Sequence, residues 1–162
     1  MPAPITRDVF AEYYVAGLFA DAGWEVYSPH RDRGFDFLVT KEVCGETVLV
    51  PVQVKGLYPT SSKTDKTVYG YTGKLTAIHP NMVLALPYFD TDHSKPSPLF
   101  TAFMPLSEVK HSSRGYRCQP ASFKDGAATP RRDFTRFFDS SGIQLIEQAM
   151  VNKASHSTAD RA

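Results

Sequence analysis

The chain has 162 residues, 42% of them apolar, with a formal net charge of +1, a balance that suits one globular domain with a sizeable core and excludes a generally basic nucleic-acid coat. No apolar run reaches the length of a membrane span, and Met1 to Ala11 lacks the basic start and apolar core of a signal peptide. Cys44 and Cys118 stand far apart with no Cys-x-x-Cys spacing, which points to reduced thiols in a cytoplasmic protein and away from zinc.

Thr6 to Ala22 is predicted as the first helix, with Pro4 just before it and Gly23 after it as a stop signal. Val9, Phe10, Tyr13, Ala16, Leu18 and Phe19 imply that much of it is covered, and helical spacing puts Glu12 on one face with Asp8, Ala16 and Phe19. Trp24 to Ser28 follows as a strand, and Pro29 to Gly34 as a loop carrying Arg31 and Arg33. Phe35 to Thr40 and Thr47 to Lys55 then alternate like the two strands of a hairpin whose connection, Lys41 to Glu46, holds a glycine. A turn on Cys44 and Gly45 sets Phe37 opposite Val52, Thr40 opposite Leu49 and Asp36 opposite Gln53. Opposed Cβ atoms stand roughly 4.5–5.5 Å apart, with Lys55 on the diagonal at about 7–8 Å. The row Val48, Val50, Val52 and Val54 would meet Phe35, Phe37 and Val39, so a one-residue slip would expose the whole apolar set. Pro51 removes a donor from this strand and reads as an edge position or a bulge.

A carboxylate, an amide oxygen and an ammonium at one end of a hairpin are groups that hold a divalent metal and a water beside a phosphate. With Glu12 on the preceding helix, Gly34-Phe35-Asp36 opening one strand and Gln53-Val54-Lys55 closing the next, the chain resembles the PD-(D/E)XK nuclease superfamily. The likeness is greatest to the branch that includes archaeal Holliday-junction resolvases and a group I intron homing endonuclease, where Gln can replace Glu. It spans about Thr6 to Gly56 in its motifs and extends by strand order to about Leu106. Phe35 stands in place of the family's proline, and Gln53 removes one negative charge from the metal site.

The resemblance implies an α/β fold, a restriction-endonuclease-like core with a mixed central sheet flanked by helices, and metal-dependent hydrolysis of DNA phosphodiester bonds. It implies Mg2+ or Mn2+ held by Asp36, the Gln53 amide oxygen or the Val54 carbonyl, and Glu12, with Lys55 orienting or activating the attacking water. Asp8, one turn before Glu12, is its rival for the helical carboxylate. DNA and a second copy of the chain are the expected partners, with no membrane. A catalytically silent nucleic-acid-binding or protein-interaction module on the same scaffold is the alternative, and Gln53 is the residue that supports it.

Beyond the hairpin, Gly56 to Lys66 reads as a polar loop. Lys63, Lys66 and Lys74, near Tyr58, Tyr69 and Tyr71, could touch a nucleic-acid backbone or stack on bases, and core packing explains the tyrosines equally well. Thr67 to Tyr71, Met82 to Leu86 and Leu99 to Met104 are further strands. The cluster Asp90-Thr91-Asp92-His93 reads as turn formers. Residues 107 to 136 gather Lys110, Arg114, Arg117, Lys124, Arg131, Arg132 and Arg136 against three acids, a local basic surface. Thr129-Pro130 is predicted to start a short helix reaching about Asp139, and Ser141 with Gln144 to cap a helix over Gly142 to Met150. One domain over residues 1–151 is expected, with Asn152 to Ala162 as a disordered tail.

Overall fold

The structure, a computed structural model, describes residues 4–31, 33–70, 72, 75, 79–113 and 115–160, without the side chains of 4–7, 112, 116, 157 and 158. Helix α1 (Pro4–Asp21) buries Ala11, Val15 and Phe19, one residue per turn. It ends where Gly23 takes φ 90°, letting the Trp24 amide reach back to the Phe19 carbonyl at 3.0 Å. The chain then runs through β1 (Glu25–Tyr27), β2 (Phe37–Val43), β3 (Glu46–Val54), β4 (Pro59–Ser61), β5 (Thr67–Tyr69), β6 (Val83–Tyr88) and β7 (Phe100–Pro105). Two further hairpins, β8 (Lys110–Ser112) with β9 (Gly115–Arg117) and β10 (Ala121–Lys124) with β11 (Ala127–Pro130), precede a 3-10 turn at Arg132–Phe137 and helix α2 (Asp139–Ala159).

Among the described residues the central sheet has five strands in the order β1-β2-β3-β6-β7, antiparallel except where β3 runs parallel to β6. This is the mixed, helix-flanked α/β sheet that the sequence predicts. Cys44 (φ 52°) and Gly45 (φ 77°) form the two-residue turn between β2 and β3, and the left-handed pair matches the twist of the strands it joins. From Val43↔Glu46 the ladder runs unbroken to Phe37↔Val52, with Thr40↔Leu49 as expected.

Both faces of the sheet are covered, so β6 is buried at every residue. Phe37, Val39, Val50, Val52, Val83 and Ala85 point to α1 and α2, while Leu84, Leu86 and Tyr88 point to the second core with Tyr69, Phe137 and Phe138. Pro51 is neither on an edge strand nor at a bulge. It lies in an interior strand, opposite Leu38, and by alternation its missing N–H faces β6 just before that pairing begins at Val52↔Val83.

Several boundaries differ from the sequence reading, each for a local reason. Thr129 and Pro130 close β11, because Asp125 (φ 52°) and Gly126 (φ 79°) make a second two-residue turn and Pro130 pairs with Ala121. The loop read over Gly56 to Lys66 contains β4, paired with β5; Tyr71, the last residue of the predicted strand, lies outside the described residues. Helix α2 starts at Asp139, whose carboxylate accepts the Thr101 amide at 3.0 Å, so Ser141 and Gln144 are helical residues and cap nothing. The segment expected to be a tail extends α2 to Ala159, because Ala154 prolongs the buried stripe of Ile143, Ile146 and Met150. Lys41 ties this helix to the sheet, bonding Glu147 at 2.9 Å and the Ala22 carbonyl at 3.1 Å.

Gly142 is the tightest point of this packing: a Cβ there would come within 2.2 Å of the Phe137 carbonyl oxygen. Gly142→Ala is expected to destabilise the fold by about 2 kcal/mol or more, because backbone must move to admit the methyl group. Urea unfolding of the two proteins checks this, and an unchanged midpoint would refute it.

Candidate active site

The site begins where the β2–β3 ladder ends. The Asp36 amide donates to the Val52 carbonyl at 2.8 Å, one residue out of the ladder's register, so the chain bulges there and Asp36 does not pair directly with Gln53 as the sequence reading has it. One carboxylate oxygen of Asp36, Oδ2, accepts the Val54 amide at 2.6 Å. The residue thus grips β3 on either side of Gln53, by backbone before it and by side chain after it. A strand residue's C=O points the same way as its N–H, so the Val54 carbonyl also faces the β2 side, past the last ladder pair.

Glu12 arrives from α1. Its carboxyl hydrogen-bonds that of Asp36, and its pKa is pushed above the ordinary 4.5 by burial first, then by the Asp36 charge and hydrogen bond, then by Asp8. Two carboxyls in contact hold a proton between them more readily than either does alone. Asp8 itself is exposed and acts on Glu12 only through its charge. Gly56 explains how the helix comes so close: a Cβ at this position would lie 3.4 Å from the Ala11 side chain and 3.2 Å from the Tyr58 ring.

Gln53 and Lys55 sit beside β6. Gln53 pairs with Leu84, and the Lys55 amide donates to the Ala85 carbonyl at 2.9 Å. By alternation both side chains lie on the face opposite the Val50 and Val52 row that meets α1. Lys55 is half-buried, and no ion pair holds it among the described residues. The Gln53 Oε1 atom is buried without a hydrogen-bond partner among the described residues, a state that costs free energy unless something donates to it or coordinates it.

These donors suit a hard cation. All are oxygens, two of them carboxylate, with the Gln53 amide and the Val54 carbonyl as neutral members, which fits magnesium or manganese and does not fit zinc. No cluster of three or more His, Cys, Asp or Glu side chains able to hold a metal occurs among the described residues, so the charge at the site comes from Glu12 and Asp36.

No family model and no curated protein matches the chain. Among solved structures, the fold is similar to that of a bacterial homing endonuclease, I-Ssp6803I, with a TM-score of 0.56 and 17% identity over 94% of this chain and 99% of that one. The chain therefore shares its fold with a nuclease. At this identity the likeness concerns architecture and leaves residue roles to the geometry above.

The remaining candidates separate from the site. Arg31 and Arg33 are exposed on the loop that leads to Asp36, and Lys63 and Lys66 are exposed at the tip of the β4–β5 hairpin. Lys74 and Arg114 lie outside the described residues. Asp90 and Asp92 build a turn, with Asp92 accepting the Ser94 amide at 3.0 Å and Asp90 paired with Lys95 at 3.4 Å. No helix among the described residues is long and apolar enough to cross a membrane. Sequence reasoning missed the Val54 amide as the anchor of Asp36 and Gly56 as the point of closest approach. A glycine directly after Lys55 was the available signal for the second.

Glu12 binds a proton more tightly folded than unfolded, so the folded protein loses stability as pH rises from 4.5 through the raised value. Glu12→Gln removes this loss. Without divalent metal, the variant is expected to melt higher than the wild type at pH 8, with a gap that narrows toward pH 4.5; a gap that widens on acidification would refute the contact with Asp36.

Proposed function

We propose that the protein is a metal-dependent endonuclease that hydrolyses DNA phosphodiester bonds at the Glu12–Asp36–Gln53–Lys55 site. The observation that carries this reading is the contact of the Glu12 and Asp36 carboxyls at the end of β2, next to the end of β3 that carries the unsatisfied Gln53 oxygen and Lys55. The shared fold with a homing endonuclease supports it. Asp36, Glu12, Gln53 and the Val54 carbonyl would hold the cation, magnesium or manganese. When bound, such an ion neutralises phosphate charge and acidifies a coordinated water.

The chain's own residues supply the rest. The Val54 amide fixes the direction of the Asp36 carboxylate, so the negative charge is placed before any substrate arrives. Glu12, with its raised proton affinity, would release its proton on taking up the cation and would then serve as a carboxylate ligand beside Asp36. Lys55 carries a positive charge that orients the attacking water or offsets the charge developing on the phosphoryl oxygens. The exposed Arg31 and Arg33 precede Asp36 on its loop and are placed to contact flanking phosphates.

Two tests separate these roles. Asp36→Ala is expected to abolish cleavage and weaken magnesium binding, whereas Lys55→Ala abolishes cleavage and keeps most of the metal affinity, as read by a nicking assay and calorimetric titration; full activity in either variant would remove the site. Gln53→Glu adds a carboxylate beside Asp36 and should tighten magnesium binding by about tenfold, a gain of about 1.4 kcal/mol. Equal affinity in the two proteins would place Gln53 outside the metal's ligands.

A further inference from the structure

The first half of α1 lies across the ends of β2, β3 and β6, and each strand end meets a different side of the helix. Glu12 meets Asp36 at the end of β2, Ala11 packs beside Gly56 past β3, and Phe10 meets Phe89 past β6, with ring centroids 6.4 Å apart. Phe89 is buried and lies face to face on Tyr58, 4.5 Å between centroids and 12° between planes. Tyr14, one turn along the helix, closes on Phe10 at 6.2 Å. Rings on two sides thus hold Phe10 in place, yet 40% of it faces solvent, more than any other phenylalanine among the described residues.

The β4–β5 hairpin leaves directly from this wall, since Tyr58 precedes Pro59, the first residue of β4. Its tip is a tight turn in which the Ser62 amide bonds the Lys66 carbonyl at 2.8 Å and Ser62 Oγ accepts the Lys66 amide at 3.1 Å. Lys63 and Lys66 are exposed there, and neither forms an ion pair among the described residues. A fixed aromatic face followed by cations on a projecting arm matches the chemistry of a single nucleic-acid strand, whose bases offer free π-faces and whose phosphates need positive charge. An uninterrupted duplex cannot use the ring, because its bases are already stacked on one another. Phe37, Val52 and Val83 stand abreast, so β6 runs on about five residues past the level of Asp36 before Phe89 is reached. With two strand spacings across and that overhang along the strand, a base on Phe10 lies roughly 15–20 Å from a phosphate at Asp36, a few nucleotides of extended strand.

We propose that Phe10, backed by Phe89 and Tyr58, stacks an unpaired base a few nucleotides from the cleaved bond, while Lys63 and Lys66 receive the phosphates of the same strand. The substrate class is then DNA with a single-stranded segment at the cleavage point. This rests on the nuclease reading for the position of the bond, and the binding it requires is measurable without cleavage.

The experiment uses the full chain in EDTA, with a fluorescent duplex, the same duplex bearing an unpaired tail, and the tail strand carrying 2-aminopurine at each position in turn. The tailed duplex binds more tightly than the uninterrupted one, and one 2-aminopurine position is quenched on binding. Phe10→Ala and Phe10→Leu lose the quench and weaken tail binding by about tenfold, Phe10→Tyr keeps both, and Lys63→Ala with Lys66→Ala lowers the salt dependence of binding. The leucine variant preserves apolar bulk, so it separates stacking from folding, and melting curves confirm that it is folded. Equal affinity for both duplexes, or tail affinity and quench unchanged in a folded Phe10→Leu, overturns the proposal. So does loss of oligomeric state in Phe10→Leu with oligonucleotide affinity unchanged, which would mark the ring as an interface between copies. Absence of cleavage with magnesium or manganese while these binding effects hold would fail the nuclease reading and leave the stacking wall intact.

Discussion

Because Asp36 is bonded to β3 twice, through its amide to the Val52 carbonyl and through its carboxylate to the Val54 amide, the end of the hairpin cannot open without releasing the site. The charged side chain takes the place of the next ladder bond and is itself oriented by doing so. The register that delivers Asp36 there is set at the far end of the hairpin by the left-handed pair Cys44 and Gly45, and it is kept by the apolar row of Val50 and Val52 against Phe37 and Val39. A slip of one residue would move Val52 away from α1 and remove both partners of Asp36 together.

The same arrangement leaves the site electrostatically unsatisfied. Glu12 and Asp36 are brought into contact by the approach of α1 over Gly56, and their repulsion is relieved only by a proton or a cation. The buried Gln53 oxygen has no donor among the described residues. Surrounding packing maintains both conditions, since the helix is held by Val15 and Phe19 and the strand is covered on both faces. Natural folds retain such costs at places where a ligand repays them.

Alternation and turn chemistry made the hairpin legible in the sequence, down to the pairs Phe37↔Val52 and Thr40↔Leu49. The bulge at Asp36 was not legible, because it comes from the carboxylate competing for the Val54 amide, and a strand pattern carries no sign of that competition. Pro51 was misplaced for a related reason: its tolerance depends on where β6 begins to pair, a contact made by residues far along the chain. Downstream, Asp125-Gly126 carried the same turn signal as Cys44-Gly45, but Thr129-Pro130 suggested a helix start and obscured it. The extension of α2 rested on one small residue, Ala154, within a polar segment whose composition spoke for disorder.

The parallel pairing of β3 with β6 has a consequence for the order in which the molecule assembles. The β2–β3 hairpin closes through neighbouring residues, on a scale of about 1–10 μs for such units, whereas β6 reaches β3 only after the chain between Lys55 and Met82 has been gathered in. The missing donor at Pro51 confines that seam to Val52 through the Lys55 amide, so little pairing rewards the closure of the long intervening chain. The acidic end of the hairpin is therefore formed early and sealed late. The bond from the Val54 amide to Asp36 lies within the hairpin, so the contact that orients the carboxylate is local in sequence, while the cover over it comes from distant parts of the chain.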